Sequence, residues 1–150
     1  MLQKASKFLF ALLCITFLSV NAQATDRATP DEAKQLCEKA AAFLKENGIE
    51  ASKAAFHAPG APWHDRDLYV FVFNPEGITL IHGAKDALVG RDLTKLRDVD
   101  GKLFLKEIVS VQDKGWVDYK WQNPVTNKVE AKTSYVINTG DYVVGVGAYK

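Results

Sequence analysis

A lysine and a group of flat rings carry the most chemistry in this chain. Residues 115–136, GWVDYKWQNPVTNKVEAKTSYV, hold Tyr119, Trp121, Lys132 and Tyr135 in two alternating runs joined by a turn. An ammonium on a strand that faces rings can give a charge-assisted hydrogen bond to a carboxylate. Indole and phenol faces can wall the apolar part of a small ligand. Lys132 is therefore the candidate partner for an acid group, and Tyr119, Trp121 and Tyr135 are candidate walls. Tyr69 and Phe71, on an earlier strand, join the walls, and His82 can donate to a carboxylate or carbonyl. Each has a plainer reading as well: a solvated strand lysine, ordinary core aromatics and a structural histidine.

Strand periodicity sorts these side chains. Val117, Tyr119 and Trp121 share one face, while Asp118, Lys120 and Gln122 share the other. Pro124 has a fixed φ and no N–H, so the chain turns there. It returns with Thr133, Tyr135 and Ile137 on one face and Lys132, Ser134 and Val136 on the other. Grouping the three aromatic walls on one face sets Lys132 on the opposite face, and a bulge is expected to reconcile them. Lys120 is expected to face solvent.

The elements that must position this hairpin follow from the same patterning. Thr29, Pro30, Asp31 and Glu32 form a helix start, with a capping hydroxyl, a first-turn proline and acids that meet the helix dipole. Ala33, Leu36, Cys37, Ala40, Ala41 and Leu44 follow helical spacing, Phe43 widens the stripe, and Gly48 supplies a stop near residue 47. A short amphipathic piece over 50–56 precedes a Pro/Gly-rich breaker. Residues 68–73, LYVFVF, predict a strand apolar on both faces, paired through an Asn-Pro-Glu-Gly turn with 78–82. A polar connection over 83–100 leads to a helix expected at 102–114, closed by Gly115. The last strand, 141–149, carries Gly145 and Gly147 on one face, where another backbone, a helix or a ligand can lie close. The order predicts an α+β domain with one five-stranded antiparallel sheet.

Composition narrows the function classes. The chain has 150 residues, 47% apolar and 25% charged, which suits one globular domain. Lys4 and Lys7 precede an apolar run over 8–20, followed by Ala22-Gln23-Ala24, the pattern of a secretory signal peptide over residues 1–24. Cleavage after Ala24 leaves 17 Lys+Arg against 18 Asp+Glu, so no basic field for nucleic acid remains. It also leaves Cys37 alone, which excludes an intramolecular disulfide. Cys37 reads as a small buried hydrophobe. His57 and His64 lack metal-ligand spacing, and the Asp98-Val99-Asp100-Gly101 run lacks the further acids of a calcium loop. No haem-attachment, nucleophile-elbow or phosphate-loop motif occurs, and neither a cofactor nor a metal is implied.

Taken in order, several stretches resemble a single Cache domain of the second type, a PAS-like extracytoplasmic sensor module. They are Tyr69-Val70-Phe71-Val72-Phe73, His82, Leu88-Val89-Gly90-Arg91-Asp92-Leu93, Asp98-Val99-Asp100-Gly101-Lys102, residues 115–126 and residues 140–147. The resemblance spans roughly residues 30–150. It implies a PAS-like sheet with a long N-terminal helix along one side and, on the other, a helical connection over a pocket for short carboxylates or other small metabolites. It also implies that a membrane-bound signalling partner, or a homodimer, reads the bound state.

The leading expectation is a periplasmic or secreted sensor domain over 25–150 that binds a small organic acid and is not an enzyme. Lys132 and His82 would meet the acid group, and Tyr69, Phe71, Tyr119, Trp121 and Tyr135 would wall the rest. Replacing Lys132 by Met is then expected to weaken binding and leave the stability of the free protein nearly unchanged. Two alternatives stand beside it: a small hydrolase or isomerase with His82 as base, and a non-binding interaction module whose hairpin aromatics are core.

Overall fold

A computed structural model describes residues 27–60 and 62–150. The proposed signal peptide therefore lies outside the described residues. The first described element is α1, Pro30–His57, and it opens as its sequence predicts: the Thr29 hydroxyl accepts from the Glu32 N–H, and the Glu32 carboxylate accepts from the Thr29 N–H. Arg66 reaches the same carboxylate at 2.6 Å, which holds the Glu32 pKa down at about 2 and ties the helix start to the sheet. Gly48 breaks the helical geometry at φ 77°, so the expected long helix and short second piece run on from each other across a kink.

The sheet is built from β1 (His64–Asp65), β2 (Leu68–Phe73), β3 (Thr79–His82), β4 (Lys114–Gln122), β5 (Val129–Asn138) and β6 (Val143–Tyr149). All pairings are antiparallel. β2 runs beside β6, β6 beside β5, and β5 beside β4 at the edge, while β1 and β3 share the other side of β2. The five long strands are the expected ones. The two-residue β1 falls in the stretch expected to be irregular; two residues give no periodicity to read.

α2, Phe104–Ser110, is shorter than expected. Lys114 and Gly115 belong to β4, where Gly115 pairs with Val136 rather than closing a helix. The cause is visible at the helix end: Asn138 on β5 donates from its backbone N–H to Asp113 and from its side chain to Val111, drawing this segment into the sheet. The Asp98–Gly101 segment is a tight turn before α2, with the Asp98 carboxylate accepting from the N–H groups of Asp100, Lys102 and Lys120.

Each face of the sheet buries its own cluster. α1 covers one face, and Ala33, Leu36, Cys37, Ala40, Ala41 and Leu44 of its predicted stripe are buried against Leu68, Val70, Val144 and Val146, with Phe43 half-buried at the margin. The connection after β3 and α2 cover the other, where Tyr69, Phe71, Phe73, Leu93, Phe104, Ile108 and Tyr119 meet. β2, buried along its whole length, serves both. Cys37 sits at 0% exposure with its thiol 3.6 Å from the Val144 carbonyl, and burial pushes its pKa far up. It is therefore expected to label very slowly with thiol reagents in the native protein and quickly in denaturant; fast native labelling would mean that α1 is not docked.

Candidate functional site

The strand pairing decides which candidates meet. In an antiparallel pair, directly opposed residues share a face. Tyr119 pairs with Lys132, Lys132 pairs with Tyr149, and Val117 pairs with Ser134. The β4–β5 register runs without interruption, so the rings of β4 and Lys132 share a face with no bulge to reconcile them. Tyr135 does not join them. It pairs with Trp116, lies in the α1-side cluster, and has the Lys34 ammonium 5.5 Å from its ring centre. Its assignment as a pocket wall is thus corrected: the expected grouping followed spacing within each strand, whereas the register across the turn sets β5 one residue out from it.

Lys132 is 1% exposed. Its Nζ donates to the Tyr69 hydroxyl at 2.8 Å and lies 4.0 Å from the Tyr69 ring centre, 4.8 Å from Tyr149, 5.8 Å from Phe71 and 6.0 Å from Tyr119. Among the described residues, no carboxylate pairs with it. The lysine stem passes over Gly147, whose missing Cβ leaves it room; a Cβ there would overlap Lys132 Cε and the Ser134 hydroxyl. Burial brings the Lys132 pKa down to about 7, against a smaller upward pull from Asp67. Cation–π attraction from the surrounding rings partly offsets the loss of water.

The other polar groups are held neutral. Burial pushes the phenols of Tyr69, Tyr119 and Tyr149 well above their ordinary range, so they remain hydroxyl donors. Tyr149 donates to the Gln122 carbonyl at 2.7 Å, and the Tyr119 and Ser134 hydroxyls lie 2.9 Å apart. Burial, and then the charge of Lys132, take His82 down to about 3. Its Nδ1 is buried without a hydrogen-bond partner, and its ring leans on Tyr69 with centres 5.0 Å apart.

Three cavities adjoin this cluster, and of these Lys132 itself lines an outer groove of about 220 Å³, beside Tyr119, Lys120 and Lys150. An open cleft of about 330 Å³ is lined by Tyr69, His82, Ala84, Lys85, Trp121, Gln122, Pro124 and Asn127. Behind it lies a chamber of about 10 Å³ among Tyr69, Phe71, Phe73, His82, Leu93, Phe104, Ile108, Tyr119 and Trp121, at the lower limit for one water molecule. Tyr69, His82 and Trp121 line both, so they form the partition. Phe104 of α2 stacks on Tyr119 with centres 4.6 Å apart and planes 8° apart, closing the chamber from above.

Six of the seven sequence candidates, Tyr69, Phe71, His82, Tyr119, Trp121 and Lys132, thus gather on one face. Phe73, Phe104 and Tyr149 belong with them and were missed. The period-2 rule places Phe73 with Tyr69 and Phe71, and Tyr149 with the two glycines, so both were within reach of the sequence. Phe104 was not, because nothing local says where α2 docks.

An antiparallel sheet with a long helix on one face and, on the other, a ring-walled cavity beside a buried lysine defines a PAS-like sensor fold. The chain belongs to the family described as single Cache domain 2, whose profile matches residues 13–150. It is 31% identical over 104 residues to the methyl-accepting chemotaxis protein McpP of Pseudomonas putida, a match covering 66% of this chain and 19% of that protein. It is 30% identical over 90 residues to the sensor histidine kinase MctS of Rhizobium johnstonii, covering 57% of this chain and 20% of that one. The matched stretch is therefore about a fifth of each relative. Among solved structures, a methyl-accepting chemotaxis protein of Vibrio parahaemolyticus superposes with a TM-score of 0.70 at 24% identity, covering 79% of this chain and 86% of that one. A periplasmic sensor domain of a chemotaxis protein gives 0.62 at 28%, covering 79% and 88%. A Cache chemosensory domain described for carboxylic acid recognition gives 0.70 at 19%, covering 79% and 91%.

Proposed function

We propose that this domain is an extracytoplasmic sensor module that binds a short organic acid, with Lys132 and the Tyr69 hydroxyl meeting the carboxylate. The observation that carries this reading is the buried Lys132 ammonium, held among rings behind a cleft wall with no carboxylate of the described chain to neutralise it. An isolated buried charge is costly, and an incoming anion would relieve that cost. Trp121 and His82 stand at the entrance, and Lys85 adds a second cation at the cleft. A three-carbon acid has about six heavy atoms; at about 1.5 kcal/mol per atom it could reach about −9 kcal/mol, enough for micromolar binding.

The hydrolase or isomerase reading needs His82 as a base. With its pKa taken down to about 3 and no partner orienting Nδ1, that imidazole is a poor proton acceptor at neutral pH. The open cleft favours a binding site over a core module closed to ligands. The relatives' roles as a chemotaxis protein and a sensor kinase support a membrane-bound signalling partner as the reader.

A thermal-shift screen of the protein against two- to four-carbon acids, amino acids and amines tests the reading. An acid at 100 times its Kd should add about 2.7 kcal/mol of stability; a screen in which only amines, or nothing, shifts the transition would sink it. Export is part of the same proposal. No helix of the described residues is long and apolar enough to cross a membrane. The exported species should begin at Thr25 by intact mass, and retention of residues 1–24 would contradict that.

A further inference from the structure

We propose that the acid and a proton bind to this site together, so that the domain responds to acidity in the neutral range as well as to acid concentration. The inference rests on the reading of Lys132 as the carboxylate partner and adds to it a second, linked ligand.

The geometry around Nζ makes the argument. Every element packed against it presents a neutral or distant group. From β2 comes the Tyr69 hydroxyl at 2.8 Å, from β6 the Tyr149 phenol and from β4 the Tyr119 phenol, all kept protonated by burial. β3 contributes His82, which stays uncharged at neutral pH, with Lys85 beyond it at the cleft. α2 presents the Phe104 ring over Tyr119, and its Glu107 is engaged with Lys102. Asp67, just before β2, is the anion whose field reaches Lys132; its Oδ1 accepts from the Ala28 N–H, while its Oδ2 is buried without a hydrogen-bond partner and does not contact Nζ. Glu130, two residues earlier on β5, is held by Arg27, Asn123 and Thr126. On the outer side of Lys132, Lys120 pairs with Asp100 and Lys150 with Asp118, and these charges neutralise one another in a shallow groove.

No carboxylate therefore contacts the ammonium, and burial brings Lys132 to about 7 against the smaller upward pull of Asp67. A carboxylate placed against Nζ reverses that balance, because an opposite charge within contact distance favours the charged form. On binding, the anion enters and one proton passes from solvent to the neutral amine. The site then holds a net-neutral pair, which costs far less to bury than the anion alone. Below pH 7 the lysine is already protonated and binding should be insensitive to pH. Above it, each bound anion must recruit a proton.

Isothermal titration of the protein with acetate, propionate and pyruvate tests this. Titrations at pH 6, 7, 8 and 9 should show Kd nearly constant from 6 to 7 and rising up to about tenfold per unit above. At pH 8, repeating the titration in phosphate and in Tris should give an enthalpy difference that corresponds to uptake of nearly one proton. Binding with a flat Kd and no proton uptake would overturn the inference while leaving the acid site standing. A pH dependence that survives in His82→Asn supports Lys132 as the proton acceptor; one that disappears there assigns the proton to the imidazole and overturns it. If none of the acids binds at any pH, the inference falls together with the acid reading. The Lys132 Cε resonance of the free protein separates the two failures, since a lysine titrating near its ordinary value removes the basis for linkage by itself.

Discussion

Lys132→Met should bind acid at least tenfold more weakly and, at pH 7, make the unliganded protein more stable. The two effects have one cause. A pKa brought from 10.5 to about 7 by burial, at about 1.4 kcal/mol per unit, means that charging this lysine costs the fold several kcal/mol. Methionine keeps most of the apolar stem against Gly147 and removes the charge. It forfeits the hydrogen bond to Tyr69, worth about 1 kcal/mol, but that hydroxyl still has Tyr149 within 3.4 Å. A net gain of about 2 kcal/mol or more in chemical denaturation is expected at pH 7. This replaces the expectation, drawn from the sequence, that stability would scarcely change; that expectation placed the lysine in a pocket without counting the cost of burying its charge. The pH profile gives the sign independently. A base whose folded pKa lies below its unfolded value binds fewer protons when folded, so the unmodified protein should gain stability as pH rises from 7 toward 10.5, and the variant should lack that slope. Loss of the charge should also cost about 1.5 to 3 kcal/mol of acid binding. Lys120→Met is the control: its ammonium is half exposed and paired with Asp100 at 2.9 Å, so it should move neither quantity by more than about 0.5 kcal/mol. A destabilised Lys132→Met with intact acid affinity would mean that this lysine is a structural cation and that the site lies elsewhere.

The sequence disclosed the elements far better than the docking between them. Six alanine, leucine and cysteine positions at helical spacing and a capping box define the first stretch of α1 without reference to anything else in the chain, whereas Gly48, expected as a stop, kinks the helix and does not end it. Likewise, LYVFVF between breakers can hardly be other than a strand buried on both faces. What local pattern cannot supply is how strands align across a turn. Alternation along β5 separates Lys132 from Tyr135 correctly, yet which of them stands with Tyr119 depends on the pairing Tyr119 to Lys132. That pairing is fixed at the turn by Asn123, whose side chain accepts from the Val125 N–H and donates to Glu130, and by Asn127 at positive φ. α2 ends earlier than its local pattern predicts for a related reason. Val111 continues the apolar spacing, but Asn138, 27 residues later, takes its carbonyl. In both cases a distant partner outweighs a local preference, and the site lies where such partners converge.

Gly145→Ala should be the most damaging small substitution in the sheet. Gly145 pairs with Phe71 on one side and Val136 on the other, in the middle of the ring-walled face. A Cβ built there would overlap the Phe71 ring. That ring is 2% exposed and sits 5.4 Å from the Phe73 ring, so it has little room to swing away. Overpacking of this kind costs typically about 1–3 kcal/mol, and here the displaced ring would also push into the chamber. Gly147→Ala gives the instructive contrast. Its Cβ would meet the Lys132 stem and the Ser134 hydroxyl, groups that rotate more easily than a wedged ring, so the cost in stability should be smaller while acid binding, which needs Nζ in place, should suffer more. The mechanism can be isolated by a double-mutant cycle. In a Phe71→Leu background the ring is gone, and adding Gly145→Ala should cost at least about 1 kcal/mol less than it does alone. Equal costs in the two backgrounds would show that the penalty comes from the strand backbone and that the bare face of β6 does not exist to make room for Phe71.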